Sequence, residues 1–234
     1  KNYNFLKLDI CNYTKLQQSI NKFNPEIVIH FAAESHVDNS IKSPGKFIQS
    51  NILGTYNILR SINKKIFLVH ISTDEVYGHV INNKSFNETT KYNPRSPYSA
   101  SKASADHLVS SWNSTYGYKS TIVNCCNNFG PNQDKEKFIP VIINNILNNK
   151  KIPIYGNGKQ KREWIYVDDF VASIDFIISK NLFKENFVIG SGIRFENKIF
   201  AKKIISIFKN KLNYDEKKIK LIRVSDRPGH DIEY

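Results

Sequence analysis

The stretch Phe67-Leu68-Val69-His70-Ile71, which runs directly into Ser72-Thr73-Asp74-Glu75, decides the fold of this chain. An apolar run of this length that ends in polar residues is typical of a parallel strand covered on both faces of its sheet. For residues 44–62 before it and residues 97–116 after it we predict helices. Pro44 fits a helix start, because the first turn tolerates a residue without an N–H group.

The alternation of strands and helices extends outward from this stretch. We predict these further elements: a helix at residues 12–23 and strands at residues 5–8, 27–31 and 120–124. Such alternation indicates an α/β fold, a doubly wound parallel sheet with helices on both faces. Because ligands bind at the carboxyl ends of parallel strands, the chemistry should follow Phe31, Ile71 and Asn124.

The pattern loosens after about Gly130. The elements that we predict there are helices at residues 138–148, 168–179 and 197–209, with short extended pieces at residues 152–155, 164–167 and 187–189. We therefore expect a sheet domain at residues 1–130. Residues 131–234 should form mainly a smaller lobe, from which the chain returns to the sheet.

The composition is that of a globular protein. Of the 234 residues, 40% are apolar, and no apolar run reaches the roughly 18 residues that cross a bilayer. The three cysteines are Cys11, Cys125 and Cys126, an odd number with two adjacent. This arrangement favours reduced thiols over a disulfide framework or a zinc site. His30, Glu34 and His36 are candidate metal ligands, but His30 lies in a predicted strand and His36 after it, and no third ligand follows at helical spacing. We therefore predict no metal site.

The net charge of +13 favours anionic partners. The basic residues are scattered along the chain, and no nucleic-acid-binding motif is present. We therefore predict no nucleic-acid or membrane partner. Part of the excess of lysine is consistent with coding bias, and the remaining positive charge fits a diphosphate ligand.

The strongest local signal for chemistry is Tyr98-Ser99-Ala100-Ser101-Lys102. A Tyr and a Lys four residues apart lie one turn apart on the same helix face. An ammonium group near a phenol stabilises the phenolate and lowers the phenol's pKa from its usual value near 10. The spacing alone also fits two exposed helix residues. The strand-end residues Thr73, Asp74 and Glu75 favour an active site, because they add a hydroxyl and two carboxylates where the sheet should bind its ligand.

With these motifs the chain resembles the extended short-chain dehydrogenase/reductases, and among them the dTDP-glucose 4,6-dehydratases. The similarity runs from about Leu8 to the last residue. The matching segments, in order, are residues 32–38, 72–78, 97–103, 127–131, 155–158 and 226–231. The resemblance implies a Rossmann-like NAD-binding domain at residues 1–130, a substrate-binding lobe at residues 131–234 and NAD as cofactor.

The resemblance also implies a three-stage reaction on a nucleotide-diphosphate sugar, most closely dTDP-glucose. The C4 hydroxyl is oxidised, water is eliminated across C5 and C6, and hydride returns to C6. Tyr98 would be the base at the C4 hydroxyl and Thr73 would hydrogen-bond the same oxygen. Asp74 would protonate the departing C6 hydroxyl and Glu75 would remove the C5 proton. Lys102 would hold the nicotinamide ribose and tune Tyr98.

Binding roles are implied residue by residue. The cofactor-binding positions are Asp9, Ile10, Phe31, Ala32, Ala33, Ser35, Ser50, Tyr98, Lys102 and Asn128. The substrate-binding positions are Ser35, Thr73, Asn127, Lys137, Tyr155, Arg162, Asn197, Arg227 and His230. Ser50 replaces the family's usual Thr, Phe129 its usual Tyr and Glu163 its usual Asp, which are mild departures.

The glycine-rich loop that opens such domains is not in this sequence. That loop lets a pyrophosphate approach a helix N-terminus. We expect a strand–helix–strand unit of roughly 50 residues before Lys1 and a helical tail after the last residue. The 234 residues alone should therefore bind NAD poorly. Calorimetric titration of NAD into this chain tests the expectation, and tight binding would contradict it.

Two other readings stay open. Nucleotide-sugar epimerases and decarboxylases share the Tyr and Lys pair but need no acid–base pair for water loss, so Asp74 and Glu75 discriminate against them. A non-catalytic or dimer-forming remnant is the second reading. The nucleotide base is open among dTDP, UDP and GDP. The reduced thiols indicate a cytoplasmic protein, and the resemblance further implies a homodimer, paired through the helices predicted at residues 44–62 and 97–116.

Overall fold

The structure, a computed structural model, describes residues 3–80, 85–215, 219–226, 228 and 231–234. The chain divides into two compact units. The first unit consists of Lys1–Gly78, Phe86–Cys125 and Ile177–Val188, and the second of His79–Ser85, Cys126–Phe176 and Ile189–Tyr234.

The helices and strands follow one another in a regular order. They are α1 Tyr13–Phe23, β1 Ile27–His30, α2 Val37–Lys42, α3 Pro44–Phe47, α4 Gly54–Ser61, β2 Phe67–Thr73, α5 Pro97–Tyr116, β3 Lys119–Cys125, β4 Asn127–Phe129, α6 Phe138–Leu147, β5 Ile152–Tyr155, β6 Lys161–Tyr166, α7 Val167–Ser179, β7 Asn186–Ile189, β8 Arg194–Glu196, α8 Asn197–Leu212 and β9 Leu221–Val224. A π-helical segment, Ile48–Leu53, joins α3 to α4, and a 3₁₀-helix, Asp74–Tyr77, follows β2.

The sheet of the first unit has the strand order β1-β2-β3-β7. β2 pairs in parallel with β1 on one side and with β3 on the other. All seven residues of β2 are buried, as expected for a strand with neighbours on both sides. These features confirm the predicted α/β fold with a parallel sheet. They also bring the carboxyl ends of β1, β2 and β3 to one edge.

Two strand predictions were wrong in part. Phe5–Leu8 forms no strand, and within the described residues it has no hydrogen-bonded neighbour strand, which a strand requires. The parallel strand that we expected at residues 27–31 is present as Ile27–His30, but it is not buried as expected, because Ile27 and Ile29 are 40% and 42% exposed. In the described part of the chain β1 pairs only with β2, so it is an edge strand of this sheet.

Apolar side chains from helices and strands form the core of the first unit. Leu59 on α4, Leu68 on β2, Val109 on α5 and Ile122 on β3 are fully or almost fully buried in one cluster. The helix α5 is fixed at both ends. Ser96 and Ser99 form a reciprocal capping box at its start, and Gly117 ends it in the left-handed conformation. The register of Tyr98 and Lys102 relative to the sheet is therefore fixed.

The second unit contains smaller sheets, with strand orders β4-β6-β8 and β5-β9. Its core lies between α6, α8 and β5, where Ile142, Ile146, Ile152 and Ala201 are almost completely buried. The sequence missed α2, β4, β8 and β9, which are too short to show a periodic pattern. Of the helices in the described ranges, none combines the length and the apolar character that a bilayer crossing requires.

Candidate active site

The carboxyl end of β2 holds the first part of the site. Thr73 ends the strand, and its hydroxyl oxygen accepts a hydrogen bond of 3.2 Å from the Glu75 N–H group. This bond caps the 3₁₀-helix that carries Asp74 and Glu75. The Thr73 hydroxyl also donates to Asp74 Oδ1 over 3.2 Å. The strand and its cap thus place a hydroxyl and two consecutive carboxylates at one point.

The start of α5 brings the second part of the site to the same point. Tyr98 lies in the first turn of the helix, and Lys102 lies one turn further on. The Lys102 ammonium donates a hydrogen bond of 2.7 Å to the Ile71 carbonyl on β2. The Tyr98 hydroxyl lies close enough to the Thr73 side chain for the two to interact. The structure therefore brings together Thr73, Tyr98 and Lys102, with Asp74 and Glu75 beside them.

Burial dominates the ionisation of this cluster. It raises the pKa of Tyr98 well above its usual value, and the negative charge of Glu75 adds to the effect. The interaction with the Thr73 side chain acts in the opposite direction and lowers this pKa. The predicted lowering of this pKa was wrong, because burial and the negative charges of Glu75, Cys125 and Asp74 raise it. Burial also lowers the pKa of Lys102, while Asp106 and Cys125 raise it.

The loop after β1 carries the predicted cofactor positions Phe31, Ala32, Ala33 and Ser35. Asn51 holds this loop in place. Its side chain accepts a hydrogen bond of 2.9 Å from the Glu34 N–H and donates one of 3.0 Å to the Glu34 carbonyl. The same amide donates to the Ser101 hydroxyl on α5 at 2.8 Å.

The loop fits a dinucleotide. Ala32 is exposed and Ala33 half-buried, so only methyl groups cover the backbone there. A flat ligand and its phosphates can therefore approach the main chain. Asn51 was missed by the sequence reasoning, although a buried Asn within an apolar helix face is a usable signal.

The remaining predicted cofactor positions of the first unit lie before α1 and in the π-helical segment. Asp9 accepts a hydrogen bond of 2.8 Å from the Cys11 N–H group, and the Ile10 carbonyl accepts one of 2.9 Å from Asn57. A Cβ on Gly54 would come within 2.4 Å of Ile10 Cδ1, so a larger residue there would displace the Ile10 side chain. Ser50 is half-buried in the π-helical segment.

The second unit carries the other predicted positions. Asn127 and Asn128 lie on β4, and Asn127 donates to the Glu163 carbonyl over 3.2 Å. Lys137 directly precedes α6, Tyr155 ends β5 and Asn197 begins α8. Arg227 and His230 lie outside the described residues.

Arg162 differs from what its predicted role suggests. Its side chain is only 4% exposed. The guanidinium donates a hydrogen bond of 2.9 Å to the Asp231 carbonyl and one of 2.7 Å to the Lys161 carbonyl. It also lies 3.8 Å from the centre of the Tyr234 ring. In this arrangement Arg162 holds the end of the chain to β6.

Two buried histidines lie behind the cluster. His30 contacts the Thr55 hydroxyl at 3.0 Å, and its ring centre is 5.1 Å from that of His70. Burial lowers the pKa of both rings, and Lys102 adds to the effect. No group of three or more His, Cys, Asp or Glu side chains in the described residues is arranged to hold a metal ion.

These histidines predict a dependence of stability on pH. Their folded-state pKa values lie below 6.5, so only the unfolded chain takes up these protons near and below that pH. The stability is therefore full above pH 6.5 and falls by about 1.4 kcal/mol per pH unit for each ring as the pH decreases further. Urea unfolding at several pH values should show a shallower slope for His30→Gln. The exposed His107→Gln is the control, and an unchanged slope in His30→Gln would contradict the account.

Comparisons with known proteins agree with this geometry. The family model described as GDP-mannose 4,6 dehydratase matches residues 1–233. The chain is 39% identical to a probable dTDP-glucose 4,6-dehydratase of Sinorhizobium fredii, covering all of this chain and 70% of the relative. It is 41% identical to dTDP-glucose 4,6-dehydratase 1 of Escherichia coli K12, with 99% and 70% covered.

Solved structures give the same result. The chain is similar to the dTDP-glucose 4,6-dehydratase DesIV of Streptomyces venezuelae, a structure with NAD bound, at a TM-score of 0.89 and 36% identity, covering 99% of this chain and 70% of that one. A UDP-glucose 4-epimerase of Thermotoga maritima matches with a TM-score of 0.86 and 25% identity, over 99% and 74% of the two chains. The chain therefore belongs to the nucleotide-sugar 4,6-dehydratases, the family whose model it matches and whose dTDP-glucose members it resembles at 39–41% identity.

Proposed function

We propose that this protein is an NAD-dependent dTDP-glucose 4,6-dehydratase, a hydro-lyase that forms dTDP-4-keto-6-deoxyglucose. The observation that carries the proposal is the meeting of Thr73, Tyr98 and Lys102 with two consecutive carboxylates at the end of β2. The relatives that share 39–41% of their residues with this chain are named for this reaction.

The first stage requires a base at the C4 hydroxyl of the hexose. Tyr98 takes this proton, and Thr73, whose side chain lies next to the phenol, binds the same sugar oxygen. NAD, when bound, supplies the acceptor for the C4 hydride and later its donor to C6. Lys102 and Tyr98, with the loop of Phe31, Ala32, Ala33 and Ser35, would hold it.

The raised pKa of Tyr98 ties its ionisation to the two carboxylates. The charges of Glu75 and Asp74 oppose the phenolate. Once Asp74 carries the proton that it needs as an acid, it no longer opposes the phenolate. The protonation of Asp74 and the ionisation of Tyr98 therefore favour each other.

The second stage requires an acid and a base at neighbouring carbons. Glu75 removes the C5 proton, which the C4 ketone has made acidic, and Asp74 protonates the C6 hydroxyl as it leaves. Two adjacent carboxylates oppose each other's ionisation, which favours one proton shared between them. The division of the two roles follows the resemblance.

Binding is divided between the two units in this proposal. The first unit binds NAD, with Asp9, Ile10 and Ser50 near the adenosine half. The second unit binds the nucleotide diphosphate through positions that carry hydroxyl, amide or cationic groups, namely Asn127, Lys137, Tyr155, Arg162, Asn197, Arg227 and His230. Asn128 contacts the cofactor. For Arg162 to bind phosphate, its bonds to Lys161 and Asp231 have to open or be shared.

We also propose a homodimer that acts in the cytoplasm in deoxysugar synthesis, such as that of rhamnose. Exposed apolar side chains on the helical segments of residues 44–61 and on α5 support the pairing surface, namely Ile48, Leu53, Tyr56 and Tyr116. Light scattering that finds a monomer at micromolar concentration would reject the dimer.

The direct test uses the protein in its natural full length. It is incubated with NAD and, in turn, with dTDP-glucose, UDP-glucose and GDP-glucose, and the 4-keto product is measured by its absorbance in alkali. We expect product with dTDP-glucose above the other two. Formation of a 4-epimer without a 4-keto product would instead make the protein an epimerase.

A further inference from the structure

A buried carboxylate lies one turn beyond Lys102 on α5. Asp106 is only 1% exposed, and its Oδ2 atom accepts three hydrogen bonds. The donors are the Ser72 hydroxyl on β2 at 2.7 Å, the Tyr92 hydroxyl at 2.9 Å and the Asn124 amide on β3 at 3.1 Å. Its Oδ1 atom lies 3.1 Å from Nε2 of His70. A carboxylate this deep requires such donors, because burial of an unpaired charge is costly.

The ammonium of Lys102 is also buried and needs a negative charge nearby. Its side chain is 4% exposed, and the one hydrogen bond described for its ammonium, to the Ile71 carbonyl, carries no counter-charge. The titratable groups that interact with it are His30 on β1, His70 on β2, Cys125 on β3 and Asp106 on α5, and Tyr98 lies one turn before it on the same helix. His30 and His70 are neutral at physiological pH because burial lowers the pKa of both.

Asp106 is the only carboxylate among these groups. It opposes the effect of burial on the pKa of Lys102, and Cys125 does so to a smaller extent. Two charges one turn apart on a helix face, both removed from water, interact far more strongly than an exposed pair.

We propose that Asp106 is a positioning residue of the active site, whose buried carboxylate is the counter-charge that keeps Lys102 in its ammonium form beside Tyr98. The proposal gives a reason for the three donors around Oδ2, since they stabilise a carboxylate that has no solvent. Nothing in the resemblance assigns this residue a role. Its catalytic consequence rests on the proposed function, but the charge coupling itself does not.

The same carboxylate also supports the strand end that bears Thr73. The Asn124 amide that donates to Asp106 also donates to the Thr73 carbonyl at 3.3 Å, and its oxygen accepts from the Tyr77 hydroxyl at 3.2 Å. Asp106 is thus connected both to the lysine on α5 and to the end of β2. The experiment must therefore distinguish the loss of the Asp106 charge from a weakening of this hydrogen-bond network.

Nitrogen NMR of the protein labelled with ¹⁵N-lysine measures the ionisation of Lys102 directly. Its Nζ signal is assigned by its loss in Lys102→Gln. In Asp106→Asn, which keeps the shape of the side chain, we expect the midpoint of the Lys102 titration to fall by about one pH unit or more. Tyr92→Phe is the matched control, since it removes a hydrogen bond to the same oxygen but no charge, and its midpoint should equal that of the unmodified protein.

The outcomes are distinct. Equal midpoints in Asp106→Asn and the unmodified protein overturn the proposal, as does an equal fall in Tyr92→Phe. If Asp106→Asn does not fold, the double variant Lys102→Met with Asp106→Asn decides. Recovery of folding in the double variant supports the coupling, and no recovery assigns Asp106 to the fold alone.

A kinetic measurement adds the catalytic consequence. In protein that has passed the dehydratase assay, the alkaline limb of the kcat/KM profile should move to lower pH in Asp106→Asn by the same amount as the NMR midpoint, with KM for the sugar unchanged. Failure of the assay itself would reject the proposed function, while the NMR comparison would still decide the coupling.

Discussion

Replacing Tyr98 with Phe is expected to lower kcat for 4-keto product formation by about a thousandfold or more. A positioned acid or base contributes roughly 10²–10⁴-fold to a rate, and the phenol lies next to Thr73 at the end of β2. The ring itself stays, so its edge contact with Phe47 and its buried volume are kept. Product is measured by absorbance in alkali, and the fold by circular dichroism.

Tyr118→Phe is the control for this change. The Tyr118 hydroxyl also donates a part-buried hydrogen bond, to the Ile62 carbonyl at 3.0 Å, but Tyr118 lies just beyond the other end of α5. It should retain activity within about twofold, as expected for a change away from the reacting atoms. A Tyr98→Phe variant with comparable activity would remove the phenol from the mechanism.

Replacing Glu75 with Gln is expected to reduce exchange of the C5 proton with solvent by about 10²-fold or more, while C4 oxidation stays detectable. Glu75 is the charged group that contributes most to raising the pKa of Tyr98. Its neutralisation therefore lowers that pKa and does not hinder the first stage. Single-turnover formation of the reduced nicotinamide reports C4 oxidation, and deuterium uptake at C5 reports the second stage.

Glu185→Gln makes the same chemical change at an exposed position of the first unit and should alter neither readout. If both stages survive in Glu75→Gln at the unmodified rates, Glu75 is not the C5 base. If both stages are lost together, Glu75 acts on the oxidation as well, and the proposed separation of roles is wrong.

The positions of the strands and helices around the site could be predicted because each has a strong local signal. The buried run at residues 67–71 and the Pro-initiated helix at residues 97–116 carry their own boundaries, and α5 was found with both ends correct. The exposure of the edge strand β1 could not be predicted in this way, because exposure depends on which elements lie next to a strand. No local pattern reports that.

In the candidate site, too, local sequence patterns predict some features, while others depend on contacts with distant residues. Tyr98 and Lys102 follow from helix spacing, and Thr73, Asp74 and Glu75 from their place after a strand. The sign of the pKa shift on Tyr98 could not be predicted, because it depends on burial and on charges from another element. Asn51 and Asp106 escaped notice for the same reason, since their partners are distant in sequence.

The central claim is that one cluster oxidises C4, eliminates water across C5 and C6 and returns the same hydride to C6. Incubation of the full-length protein with dTDP-glucose deuterated at C4, followed by NMR or mass spectrometry of the product, tests this most directly. The account predicts that the deuterium appears on C6 of the 4-keto-6-deoxy product, with a solvent proton at C5. Deuterium that stays at C4 of a sugar retaining its C6 hydroxyl would contradict it.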